Sequence, residues 1–87
     1  LFVAQAYATY AWAQVQSTFL YADGAATSVT VTVSNAAGTV LATTVVTSVD
    51  PVKITPFYER EFYVKVESKA QVSAVHLATS TKELQAL

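Results

Sequence analysis

Residues 1–22 read LFVAQAYATYAWAQVQSTFLYA, and the first charged side chain of the chain is Asp23. Sixteen of these 22 residues are apolar and six are aromatic. The fold turns on the secondary structure this stretch takes. Ala4, Ala6, Ala8, Ala11 and Ala13, with Leu1, Gln5, Gln14 and Gln16, favour helix, and neither Gly nor Pro occurs before Gly24. Asp23-Gly24 supplies a stop, because Gly just past a helix end adopts the left-handed conformation that closes it. The spacing therefore predicts an apolar helix over 1–22. At 1.5 Å per residue it would reach ~33 Å, enough to cross a bilayer core.

Residues spaced alternately by three and four share a helix face. One such seam is Ala4, Ala8, Ala11, Val15, Thr18 and Ala22, all small or β-branched, which lets neighbouring helices approach closely. A second carries Val3, Tyr7, Tyr10, Gln14, Ser17 and Tyr21; a third, Leu1, Gln5, Ala8, Trp12, Val15 and Phe19. With no polar face, such a helix is buried on all sides or sits in lipid. The remaining 65 residues are too few to surround it, so the burial is expected from other molecules. The expected self-assembly interface is Leu1, Phe2, Ala4, Tyr7, Ala8, Tyr10, Ala11, Trp12, Val15, Phe19 and Leu20.

From Thr27 the pattern changes to period two. SVTVTVS places Val29, Val31 and Val33 on one face and Ser28, Thr30, Thr32 and Ser34 on the other, a half-buried strand. Asn35-Ala36-Ala37-Gly38 makes a turn into TVLATTVVTSV, so the two runs form a hairpin. Asp50-Pro51 ends the second run. VKIT (52–55) reads as a short strand that Pro56 ends or confines to an edge. In FYEREFYVKVES (57–68), Phe62, Val64 and Val66 point inward and Glu61, Tyr63, Lys65 and Glu67 outward. QVSAVHLATS (71–80), apolar on both faces, reads as a central strand. TKELQAL either starts a short helix, with Ser80 and Glu83 spaced as a capping box, or stays extended. The predicted fold class is α+β: an N-terminal assembly helix (1–24) followed by a small antiparallel immunoglobulin-like β-sandwich (25–87), the alternative being a single sheet with helix 1–22 lying across it.

Composition narrows the function. Of 87 residues, 53% are hydrophobic and 13% charged, against about 25% charged in ordinary soluble chains. Such a chain has too little polar surface to cover itself and is expected to bury apolar area against a partner or lipid. Lys53, Arg60, Lys65, Lys69 and Lys82 are scattered, so no basic stripe exists to follow a phosphate backbone and no nucleic acid is expected. Without cysteine there is neither a disulfide frame nor a thiolate metal site. The chain also lacks methionine and begins at Leu1, which is read here as removal of a leader upstream.

Candidate chemistry is sparse. His76, the only histidine, lies between Val75 and Leu77 with no cysteine to activate, and reads as a hydrogen-bonded strand residue. Glu59 and Glu61 could form an acid pair, but beside Arg60 and Lys65 they read as members of cross-strand ion pairs. No phosphate loop, nucleophile–base set or metal-ligand spacing occurs. No enzyme activity, cofactor or metal is expected.

An uncharged N-terminal helix, a missing initiator and a compact domain of alternating Val and Thr together resemble the subunit of an archaeal type IV pilus or of the related archaellum filament. The resemblance implies a homo-oligomeric helical filament outside the cell, a cell-surface appendage for adhesion or motility. Its apolar helices would sit in the membrane before assembly and pack into the filament core afterwards, with the β domains outside. Gln5 stands where bacterial type IV pilins carry glutamate, which separates the chain from that branch. Two other plans fit the same pattern, a viral coat protein and a membrane-anchored immunoglobulin-like binding module.

Overall fold

The computed structural model describes residues 2–85. Its order is β1 (Phe2–Ser17), β2 (Val29–Ser34), β3 (Val40–Val46), β4 (Val52–Ser68), β5 (Val72–Ala78) and a single turn of helix, α1 (Thr81–Gln85). The strands form one antiparallel sheet in the order β3-β2-β4-β1-β5.

The predicted N-terminal helix is thus corrected: Phe2–Ser17 is a 16-residue strand, and the fold is nearly all β rather than α+β. β1 pairs with β4 on one side and with β5 on the other. Phe2, Val3, Tyr7, Thr9, Tyr10, Trp12 and Val15 are aromatic or β-branched and fit a pleated surface, and tertiary pairing outweighs the modest helix preference of the alanines. The strand period was hidden by a phase reversal. Tyr10 is buried and so are Ala13 and Val15, yet Tyr10 and Ala13 are an odd number of residues apart and cannot share a face of a regular strand. The reversal falls where Tyr10 faces Phe57 but Trp12 faces Lys53, a bulge in the β1–β4 register.

That bulge also explains a second correction. VKIT is not a separate strand ended by Pro56: β4 runs through the proline, and over residues 52–57 it pairs with β1 alone, the edge position the sequence also allowed. Residues 54–56 face only Ala11 across the ladder, so Pro56, which has no N–H to donate, sits where regular pairing is suspended. A further irregularity sets Ala4–Tyr7 opposite Arg60 alone. The two interruptions let Ile54, Phe57 and Phe62 all reach the core although their spacing is not even. Val64 and Val66 lie on the face of Phe62, as predicted, but remain more than a third exposed.

The β2–β3 hairpin forms where its pattern placed it. Val29, Val31 and Val33 are almost wholly buried. The Asn35 carbonyl accepts the Gly38 N–H at 3.0 Å, and Asn35 Oδ1 accepts the N–H groups of Ala37 (3.0 Å) and Thr39 (2.9 Å). Gly38 has φ +89° and open space around it, so a side chain there costs backbone strain alone. Gly38→Ala is expected to lower stability by about 1–2 kcal/mol, read from the urea midpoint at unchanged slope. The Tyr21–Ala25 turn repeats the design, with Gly24 at φ +91° donating to the Tyr21 carbonyl at 2.9 Å. Gly24 does adopt the left-handed conformation, but to close a loop rather than a helix.

The sheet folds over on itself. Val33 and Ala42 of the hairpin share a core with Tyr10 and Ala13 of β1 and with Ile54, Phe57 and Phe62 of β4. Val29, Val31 and Val46 share a second with Val15 and Phe19. β3 and β1 lie three places apart in the strand order, so a flat sheet could not bring these residues together. Two layers result, with β4 passing from the β1 side into pairing with β2 through residues 63–68. The thinnest extent, 18 Å, accommodates layers at the usual separation of ~10 Å. β5 is corrected from a central to an edge strand, since it pairs with β1 alone. Its residues are half-covered because Leu77 packs on the first core and Val72 and Val75 on the second, while α1, with Leu84 buried, also packs against the strand. The cap of α1 is also shifted: Glu83 accepts from the N–H (3.4 Å) and the hydroxyl of Thr79, one residue upstream of Ser80.

Candidate functional site

The residues expected to form one assembly seam are dispersed by the strand. Tyr10, Val15 and Phe19 are buried in the chain's own core. Tyr10 stacks on Phe57 at 5.4 Å and meets Phe62 edge-on at 5.1 Å. Phe19, at φ +54°, is turned inward just beyond β1, with its N–H held by Ser17 Oγ at 3.1 Å. Ala4, Ala8, Ala11 and Trp12 are half-buried. Phe2 stacks on Phe62 at 5.0 Å but is 50% exposed. Tyr7 stacks on Tyr58 at 5.4 Å, both exposed. Leu20 is exposed beside the Leu20–Ala26 bridge. Leu1 lies outside the described residues. No helix is long and apolar enough to cross a membrane, so the described chain lacks the helical span on which the expected membrane stage rested.

Two surface features remain. The first is a cleft of ≈ 210 Å³ lined by residues of β1, β4, β5 and α1. Phe62, Ala78 and Leu84 are its buried lining, with Phe2, Val64 and Leu77 at its more accessible parts. Glu83 lines it too, but its carboxylate is engaged by Thr79. His76 also reaches it and sits half-buried opposite Gln14 in the ladder. The lining is mostly apolar, with His76 and Glu83 its titratable groups, and no group of three or more His, Cys, Asp or Glu able to hold a metal occurs among the described residues. Glu59 faces Ala8 and Glu61 faces Val3 across the ladder, so the expected cross-strand ion pairs do not form there. Lys65 instead meets Glu67 on its own strand at 3.7 Å, both highly exposed, a contact worth little.

The second feature is the pair of outer strands. β3 and β5 stand at opposite ends of the strand order, and each presents a row of backbone N–H and C=O groups with no strand beside it. Natural edges are normally guarded by Lys, Pro, inward charges or strong bulges. β3 (VLATTVV) has no charge and no proline, and Val40 and Val45 are exposed. Its one irregularity is the extra residue Leu41 next to the turn. β5 (VSAVHLA) has no Lys, Asp, Glu, Arg or Pro. The charge-free interval from Gly24 to Val49 was visible in the sequence, but its importance depends on β3 being outermost, which no local pattern reveals.

Comparison with protein-family models, with curated proteins and with solved structures finds no match to this chain.

Proposed function

We propose that the chain is a structural, non-catalytic subunit of an extracellular homo-oligomeric filament, assembled through its sheet edges rather than through packed N-terminal helices. The observation that carries the proposal is that both outer strands of the sheet lack the charged and proline guards that keep edges apart. An exposed strand edge is matched by another extended strand, which supplies the missing hydrogen bonds in register. Two such edges at opposite ends of one sheet permit growth without closure, the geometry a filament requires. The low charge of the chain, 13%, fits a surface meant to be covered.

The test is sedimentation velocity of the purified chain over a wide concentration range, followed by negative-stain microscopy. Wild type is expected to form species larger than a monomer and, at high concentration, thin fibres. Val45→Lys, at an outward and exposed site, places a charge on the β3 edge and is expected to reduce assembly at least tenfold in apparent affinity, about 1.4 kcal/mol, while leaving the thermal midpoint of the monomer nearly unchanged. A chain that stays monomeric at every concentration would rule the proposal out.

A further inference from the structure

The edge of β3 is the less guarded of the two: it carries no titratable side chain, whereas β5 carries His76 and has α1 packed against it. We infer that β3 pairs antiparallel with β3 of a second copy about a two-fold axis at Thr44, joining two five-stranded sheets into one of ten; this rests on the self-assembly reading above and names its first interface.

The occupant follows from the edge itself. In β3 the residues in regular register with β2 are Ala42–Val46, opposite Val33–Val29, and the extra residue Leu41 interrupts the ladder on the turn side. The centre of that regular segment is Thr44. Pairing about it sets Thr44 against its own copy, Ala42 against Val46 and Thr43 against Val45. Positions directly opposite one another in a ladder share a face. The core-side residues Ala42, Thr44 and Val46 therefore meet their own kind across the junction, and the exposed Thr43 and Val45 meet on the outer face. Neither face suffers the inversion that a one-residue slip would impose. β-branched and threonine pairs of this kind are favourable cross-strand neighbours.

Charge agrees with the same register. The chain has no charged residue between Asp23 and Asp50. With Thr44 on the axis, Asp50 of one copy falls opposite Gly38 of the other, so no like charges are brought together along the junction. The β3 pair is isologous and by itself closes a dimer; further growth falls to the β5 edges, now at the two ends of the joined sheet.

The chain has no cysteine, so single cysteines map the contact without background. Residues directly opposite in an antiparallel ladder have Cα atoms about 4.5–5.5 Å apart, within disulfide reach. Under mild oxidation, Thr44→Cys is expected to give a disulfide dimer. Mixing Thr43→Cys with Val45→Cys is expected to yield at least about threefold more mixed dimer than either gives alone, since these positions are opposite and their own copies only diagonal. Ala36→Cys, exposed in the hairpin turn, stays monomeric. Circular dichroism identical to wild type certifies each variant as folded, and Thr44→Ser, which keeps the hydroxyl, should assemble normally. Wild-type assembly with cross-linking that is uniform along β3, or strongest away from Thr44, overturns this register and leaves the broader reading standing. Wild-type chains that remain monomeric overturn both.

Discussion

Phe62→Ala is expected to lower the unfolding free energy by about 3–5 kcal/mol, the range for deleting a large aromatic ring from a packed core. Phe62 is 1% exposed and touches three rings: Phe2 at 5.0 Å, Tyr10 at 5.1 Å and Phe57 at 5.2 Å. These rings come from β1 and β4, and the same cluster includes Val33 and Ala42 of the hairpin. Losing the ring therefore opens a void where the two layers meet. A domain of this size has a total stability of about 5–15 kcal/mol, so the variant should be mostly unfolded near physiological temperature. Urea titration measures the effect. Phe62→Leu, which keeps most of the volume, should recover much of it; a loss below about 1 kcal/mol for Phe62→Ala would show that Phe62 is not where the layers join.

Removal of residues 1–26 is expected to abolish folding. β1 is the only strand that pairs with β5. It supplies Tyr10, Ala13 and Val15 to the core, and the segment that follows supplies Phe19. Each of the three large side chains contributes about 1.5–3 kcal/mol by burial, a total comparable with the whole net stability expected of a small domain. A chain beginning at Thr27 should show no cooperative thermal transition and should expose apolar surface to a fluorescent dye. Had residues 1–22 been a detachable assembly helix, the same truncation would leave a soluble, folded β domain with its transition intact.

These two predictions rest on the part of the fold least legible in the sequence. The hairpin was readable because its alternation is unbroken: Val29, Val31 and Val33 keep one phase, and Asn35 and Gly38 supply the turn chemistry at their required places. β1 was not readable, because its inward phase changes between Tyr10 and Ala13. A five-alanine stretch sampled across such a slip imitates a helix seam. The same difficulty affected β4, where Pro56 marks a bulge rather than an end. The position of β5 was misjudged for a different reason: its half-covered faces reflect packing on the two cores and on α1, not neighbouring strands on both sides. Strand order depends on pairing between distant segments, and only that order makes β3 and β5 edges. The uncharged composition pointed to buried contacts with other copies, and the fold moves the proposed contact from a helix to those edges.

The assignment of residues 2–17 to the sheet governs everything proposed for assembly, and a nuclear Overhauser spectrum of the isotopically labelled monomer tests it most directly. Val15 lies opposite Val75, and Tyr10 opposite Phe57. Close backbone proton contacts are therefore expected across both pairs, with strong sequential Hα-to-amide contacts along β1. A ladder of amide-to-amide contacts through residues 2–17, with Hα-to-amide contacts three residues apart and none to β4 or β5, would establish a helix and contradict the account.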